Sequence, residues 1–353
     1  MVSPLLFLLV YCWVFTFLLT SADDDAPACV PFPDVEDGCM PYSKAVDEAT
    51  LWLRARLPTW DSLQAQTLFG RTLYDVDGLD TGIVTVGVNA SMDAKVKYPW
   101  AHDIPISLYY EYNTAFCVVN EARNNWRPFL TSYTEPLVRG LLEDAQAGVK
   151  VTITEVVDTV NKGLWAAMGK NEKSPIYFKA GQTPLIFDPF STYAFGYASC
   201  TGISILFVDA LRTVGVASRL AGTPDWHSDP NQGNHNWVEV FDGKTWGIIE
   251  GLPAAQGESL EDPCSVWFCN EAHFTNGTTH VYAARFDKFD ADTYYHAAWD
   301  IKNTEIPGED RTWWYTKTCT QCSRRSPDVT KKQDNGVHTR TKTHAGKSVG
   351  SIA

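Results

Sequence analysis

Cys200 and His235 are the residues whose type and surroundings favour chemistry. Cys200 stands in FGYASCTGISILFVDALRTVGV, where apolar residues recur at Ile203, Leu206, Phe207, Ala210, Leu211 and Val214 before Gly215. That spacing is one face of a helix, with Gly215 as its stop. Gly196 and Ser199 come just before, so the cysteine falls at or beside the helix N-terminus. Unpaired N–H groups and the positive end of the helix dipole favour a thiolate there, the reactive form of the side chain. The same position also suits a small buried residue at the head of a core helix.

The segment GNHNWVEVFDGKTWGIIEG alternates with period two across an Asp242-Gly243 turn signal, with His235, Trp237, Glu239 and Phe241 on one face. A two-residue turn pairs Phe241 with Lys244 and sets His235 opposite Glu250, with Cβ atoms about 4.5–5.5 Å apart. A four-residue loop would instead set Leu252 opposite His235. A carboxylate beside an imidazole fixes its tautomer and stabilises its protonated form, the third-member role in a catalytic triad. Read one at a time, His235 is an exposed strand start and Glu250 a solvated edge residue. The joint pattern, a helix-start cysteine followed by a hairpin aligning His with an acid, is far less common by chance.

Helices must position these groups. Val46, Ala49, Leu53 and Leu57 step along one face, and Trp60-Asp61 reads as a new helix start. The β-branched GIVTVGVNAS (82–91) reads as strand or loop. Residues 108–130 read as helical with an interruption near Pro128, and Thr134-Glu135-Pro136 reads as a helix start. Val156, Val157, Val160, Leu164 and Trp165 mark a further helix, and the Pro- and Gly-rich stretch after Lys170 reads as loop with short turns. The resulting organisation is a leader at 1–22, an extended segment at 23–42, a mainly helical region at 43–170, a core with C-terminal elaboration at 171–322, and a disordered basic tail at 323–353.

Cys200, Leu211, Arg212, Gly215, Val216, Arg219, His235, Trp237, Val238, Glu239 and Trp246, taken in order, resemble the transglutaminase-like core. The resemblance is strong over about residues 190–255. It implies an α+β, papain-like fold, with a nucleophile helix packed on an antiparallel sheet. It also implies a Cys-His-Asp triad, with Cys200 as nucleophile and His235 as general base. The family usually carries Asp four residues after the strand Trp; here that position is Glu250. An oxyanion donor from the Cys200 backbone and one upstream side chain is implied as well. Gln182 and Trp165 are available, each with an ordinary structural reading, and Asn236 is a further polar residue beside the triad. The expected chemistry is acyl transfer on amide substrates through a thioester. A protease or amidase shares the first half-reaction, and a non-catalytic extracellular module of the same fold is the rival of another class. A metal site using His227 and His235 lacks recognised ligand spacing, and no cofactor is expected.

The chain has 353 residues and a net charge of −13. Seven basic and two acidic residues fall in 323–353 and none in 1–22, which leaves 22 basic against 40 acidic, −18, for residues 23–322. Such a body repels phosphate, so nucleic acid is not an expected partner; a protein or peptide substrate is. Residues 4–20 form an uncharged apolar run before Ser21-Ala22 and three aspartates, the pattern of a secretory signal cleaved after Ala22, with a signal anchor as the alternative. With the signal cleaved, no stable membrane association is expected. The sequons at Asn89 and Asn276 fit a secreted glycoprotein. Of nine cysteines, Cys12 leaves with the leader, and the close pairs 29/39, 264/269 and 319/322 are the expected disulfides. Cys117 reads as a buried, inert thiol.

Overall fold

The computed structural model describes residues 29–58, 67–68, 71–72, 83–171, 174–180 and 188–322. The expected leader, the helix start at Trp60-Asp61, Gln182 and the basic tail lie outside the described residues.

Strands β1 (Cys29–Pro31) and β2 (Cys39–Pro41) form a small antiparallel pair closed by the Cys29–Cys39 disulfide. Helix α1 (Tyr42–Ala55) follows and buries Ala45, Ala49 and Leu53. Helix α2 (Thr85–Lys97) occupies the segment expected as strand or loop. Val84, Val88 and Met92 recur every four residues and are all buried, so helical burial overrides the β-branched preference.

Helix α3 runs unbroken over Trp126–Gln146, with Pro136 inside it. The expected helix start at Thr134 is therefore corrected. Thr134 turns inward, where its hydroxyl meets Leu130 O at 3.2 Å and Thr213 Oγ1 at 2.7 Å. An interior proline costs a helix about 3 kcal/mol, and the burial of Leu130, Thr134 and Val138 offsets that cost. Helix α4 (Ile153–Ala167) begins at a full capping box between Thr152 and Glu155. A short helix α5 (Pro189–Phe195), capped by Asp188, interrupts the stretch expected as loop, and Gly196 ends it at φ 76°.

Helix α6 (Cys200–Thr213) is buried from Thr201 to Thr213. It packs between α3 and α4 on one side and the sheet on the other. Gly215, at φ 78°, turns the chain out of it as expected. The sheet comprises β3 (Ser218–Thr223), β4 (His235–Phe241), β5 (Trp246–Ile249), β6 (Tyr282–Ala284), β7 (Thr293–Tyr294) and β8 (Pro307–Asp310). Its strand order is β7-β8-β6-β3-β4-β5, with every pair antiparallel. Helices packed on an antiparallel sheet make the fold α+β. Val238 and Val240 face the main core, whereas Trp237 joins a second core with Trp226, Phe268, Phe274 and Tyr315.

Helix α7 (Thr312–Cys319) closes the described chain. Its disulfides correct two expected pairings: Cys264 bonds Cys322 and Cys269 bonds Cys319. Residues three apart at a helix end share a face, so Cys319 and Cys322 both turn to the same neighbouring loop rather than to each other. Three disulfides fit an oxidising compartment. Cys117 is buried and lies outside them. Among the described residues, no helix is long and apolar enough to cross a membrane.

Candidate active site

Cys200 opens α6, where the first-turn N–H groups have no partner within the helix. His235 opens β4, the next strand but one after the helix. Its imidazole lies close enough to Cys200 for each to shift the other's ionisation, and its Nε2 bonds to Glu250 Oε1.

The hairpin register differs from the two-residue expectation. Phe241 pairs with Trp246, so the connection is the four-residue loop Asp242–Thr245. Asp242 closes it by accepting from the Lys244 and Thr245 N–H groups, each at 2.7 Å. That side-chain-backed turn displaces the tighter one. Continued past Val238–Ile249, the register sets Glu250 beside Trp237, diagonal to His235. A slip of two residues preserves the face, so the acid remains on the histidine's side of the sheet. Diagonal neighbours are about 7–8 Å apart at the backbone, a gap that the longer glutamate side chain suits.

Burial opposes a charge on His235. It is outweighed by the Glu250 carboxylate and by the hydrogen bonds to Cys200 and Glu250, and the pKa rises to about 10. For Cys200, burial pushes the thiol up, but the hydrogen bond and charge of His235, with hydrogen bonds from Asn236, bring it below its ordinary value. Both shifts favour a thiolate–imidazolium pair.

Sequence reasoning missed the groups that hold Glu250. The Trp267 indole donates to Glu250 Oε2 at 2.9 Å, and its ring lies 5.3 Å from the His235 ring between centroids. Glu258 Oε2 accepts from the Glu250 N–H at 2.9 Å. Burial and the nearby Glu250 charge raise the Glu258 pKa to about 8. Asn161 of α4 donates to Glu250 O at 2.9 Å and accepts from the Leu252 N–H at 2.8 Å. The available sequence signal was the Cys264/Cys269 pair bracketing Trp267, whose disulfides tie this loop to α7. Trp165, one of the two upstream oxyanion candidates, gives its indole N–H to Asn161 Oδ1 at 3.1 Å and is buried.

The remaining motif residues build the frame. Arg212 gathers the carbonyls of Tyr112, Cys117 and Ser218. Arg219 and Glu239 are cross-strand partners whose buried side chains pair at 2.8 Å. Arg311 and the Tyr315 hydroxyl also reach Glu239, at 3.2 and 2.9 Å. Burial raises the Glu239 carboxyl pKa, but Arg219 and Arg311 outweigh it and hold the group below its usual value. A depressed carboxyl stabilises the fold above its unfolded pKa and loses that contribution as pH falls through the folded value. Urea unfolding should therefore show wild-type stability falling below about pH 4, with a smaller fall in Glu239→Gln.

A cysteine at a helix start, a histidine beside it and a carboxylate bonded to the histidine come together here. Residues 157–250, from within α4 to that carboxylate, match the sequence model of the transglutaminase-like superfamily. This segment is a transglutaminase-like domain. No curated protein and no solved structure gives a significant match. The superfamily is of the cysteine-dependent acyltransferase and protease type, and some of its members are inactive. The transglutaminase-like match ends at Glu250, so Glu258, Trp267 and the disulfide-tied loop lie beyond it.

Glu250→Gln should lower the His235 pKa and reduce turnover by roughly a hundredfold or more, less than loss of Cys200 does. A fully active variant in a steady-state assay would assign the acid role elsewhere, with Glu258 the nearest carboxyl.

Proposed function

We propose that this chain is a secreted, papain-like cysteine enzyme that transfers acyl groups from amide side chains or peptide bonds of protein substrates. The single observation that carries this reading is Cys200 at the start of α6 beside a His235 that is hydrogen-bonded to Glu250. The Cys200 thiolate attacks the amide carbonyl carbon, and the helix-start N–H groups stabilise the resulting oxyanion. The imidazolium of His235 gives its proton to the departing amine as the C–N bond breaks, leaving a thioester on Cys200. A second amine, or water, then gives up a proton to His235, attacks the thioester and frees the thiolate. Glu250 keeps the imidazole oriented and favours its charged form through both half-reactions. The −18 charge of residues 23–322 favours a cationic amine acceptor over an anionic one.

The test is incubation of the mature protein with a glutamine-containing polypeptide, with and without a primary amine. Amine incorporation supports transfer, whereas ammonia release or cleavage alone assigns hydrolysis. Silence together with an unreactive Cys200 overturns the catalytic reading in favour of a binding module. The pH profile carries a second expectation. Turnover should hold across neutral pH and fall as pH approaches 10, where His235 loses the proton it must donate. A profile rising steadily to pH 11 would contradict the thiolate–imidazolium pair.

A further inference from the structure

Asn236 follows the candidate base directly and points to the other face of β4. Val238 and Val240, on that face, pack into the apolar core. Asn236 is also buried but brings an amide to the start of α6. Its Nδ2 donates to Thr201 Oγ1 at 2.9 Å and lies 4.0 Å from Cys200 Sγ, a long contact to the sulfur. Its Oδ1 accepts the Tyr295 hydroxyl at 2.5 Å. With Oδ1 turned to the phenol, Nδ2 is turned toward Thr201 and the thiol.

The approach of Tyr295 requires a gap in the sheet. Gly222 of β3 is the cross-strand partner of Asn236, and a Cβ there would collide with Asn236 Oδ1 and lie 2.7 Å from the Tyr295 hydroxyl oxygen. Glycine thus leaves room for the phenol to reach the amide. Tyr295 itself is buried, held by its N–H bond to Ile306 O.

Resting on the proposed nucleophilic role of Cys200, we propose that the Asn236 side-chain amide is a catalytic donor to the Cys200 sulfur, aimed by Tyr295 as a positioning residue. A donor on the sulfur favours the thiolate over the thiol and remains in place when the thiolate is released from the thioester. His235 supplies the charge on one side of the sulfur, and Asn236 supplies a neutral dipole on the other.

The experiment is the pH dependence of Cys200 alkylation by iodoacetamide in the full chain, read on the Cys200 peptide by mass, with thermal unfolding measured alongside. Asn236→Leu keeps an uncharged side chain of similar size but removes both N–H bonds; Tyr295→Phe leaves the amide but removes its hydroxyl partner. Asn236→Leu should cut the alkylation rate at pH 7 roughly tenfold, and Tyr295→Phe roughly threefold, both through a raised thiol pKa. A purely structural role would lower the melting temperature and leave that pKa in place. Folded variants with the wild-type alkylation profile overturn the inference, and if His235→Ala still raises the thiol pKa, the proposed function survives that result. A wild-type Cys200 with an ordinary thiol pKa overturns both.

Discussion

Replacing Cys200 with alanine should abolish turnover and thiol-directed labelling while leaving the fold unchanged. The side chain opens α6 and belongs to neither disulfide of the C-terminal loop, and alanine is a good helix former, so the substitution removes a reacting atom and little packing. His235→Ala should be nearly as severe, because the thiolate then loses its counter-charge inside a buried site. Its alkylation profile should move up, toward or beyond the ordinary thiol value of about 8.5. The pair makes the measurement decisive. An alkylation profile in His235→Ala identical to wild type would show that the imidazole does not set the thiol's ionisation. Residual turnover in Cys200→Ala would place the nucleophile elsewhere.

The second large effect is on stability. Glu239→Ala should cost about 3–5 kcal/mol, since it leaves Arg219 and Arg311 buried without their shared carboxylate. That is a large share of the roughly 5–15 kcal/mol that holds a typical domain folded. Arg219 keeps Glu309, at 2.6 Å, and the Tyr112 hydroxyl, at 3.0 Å, which caps the loss on that side. Tyr315 loses one hydrogen-bond partner and keeps Trp237. Equilibrium urea unfolding checks the figure. A fall in midpoint equivalent to under about 1 kcal/mol, the range of an exposed pair, would mean that solvent reaches the cluster and screens it. Glu309→Gln, at the half-exposed edge of the same cluster, is the matched comparison and should cost much less.

Glu239 and Arg219 were both among the residues that carried the family resemblance, yet sequence alone did not say what they do. Their pairing depends on β3 lying beside β4 in one particular register, and neither residue's neighbours along the chain reveal it. The cysteines behave similarly. Proximity in sequence favoured 264/269 and 319/322, whereas the structure crosses those pairs, because a helix end presents both of its cysteines to one loop. Helix starts were legible where turn-forming residues precede a periodic face, as Gly196 and Ser199 do at Cys200. They were misread where a proline sits inside a helix whose inner face is buried, as at Pro136.

Sequence by itself determined that Cys200 heads a helix and that His235 and Glu250 share one face of a hairpin. Both follow from periodicity, and period two survives the change from a two- to a four-residue turn. Tertiary structure decided the diagonal rather than direct approach of Glu250. It also placed Trp267, Glu258 and Asn161 around that carboxylate, and Asn236 and Tyr295 behind the thiol. Those contacts join residues from 8 to 89 positions apart. Chain-local propensity carries no information over such separations, because the energy that selects the contacts arises only once the sheet and helices have packed.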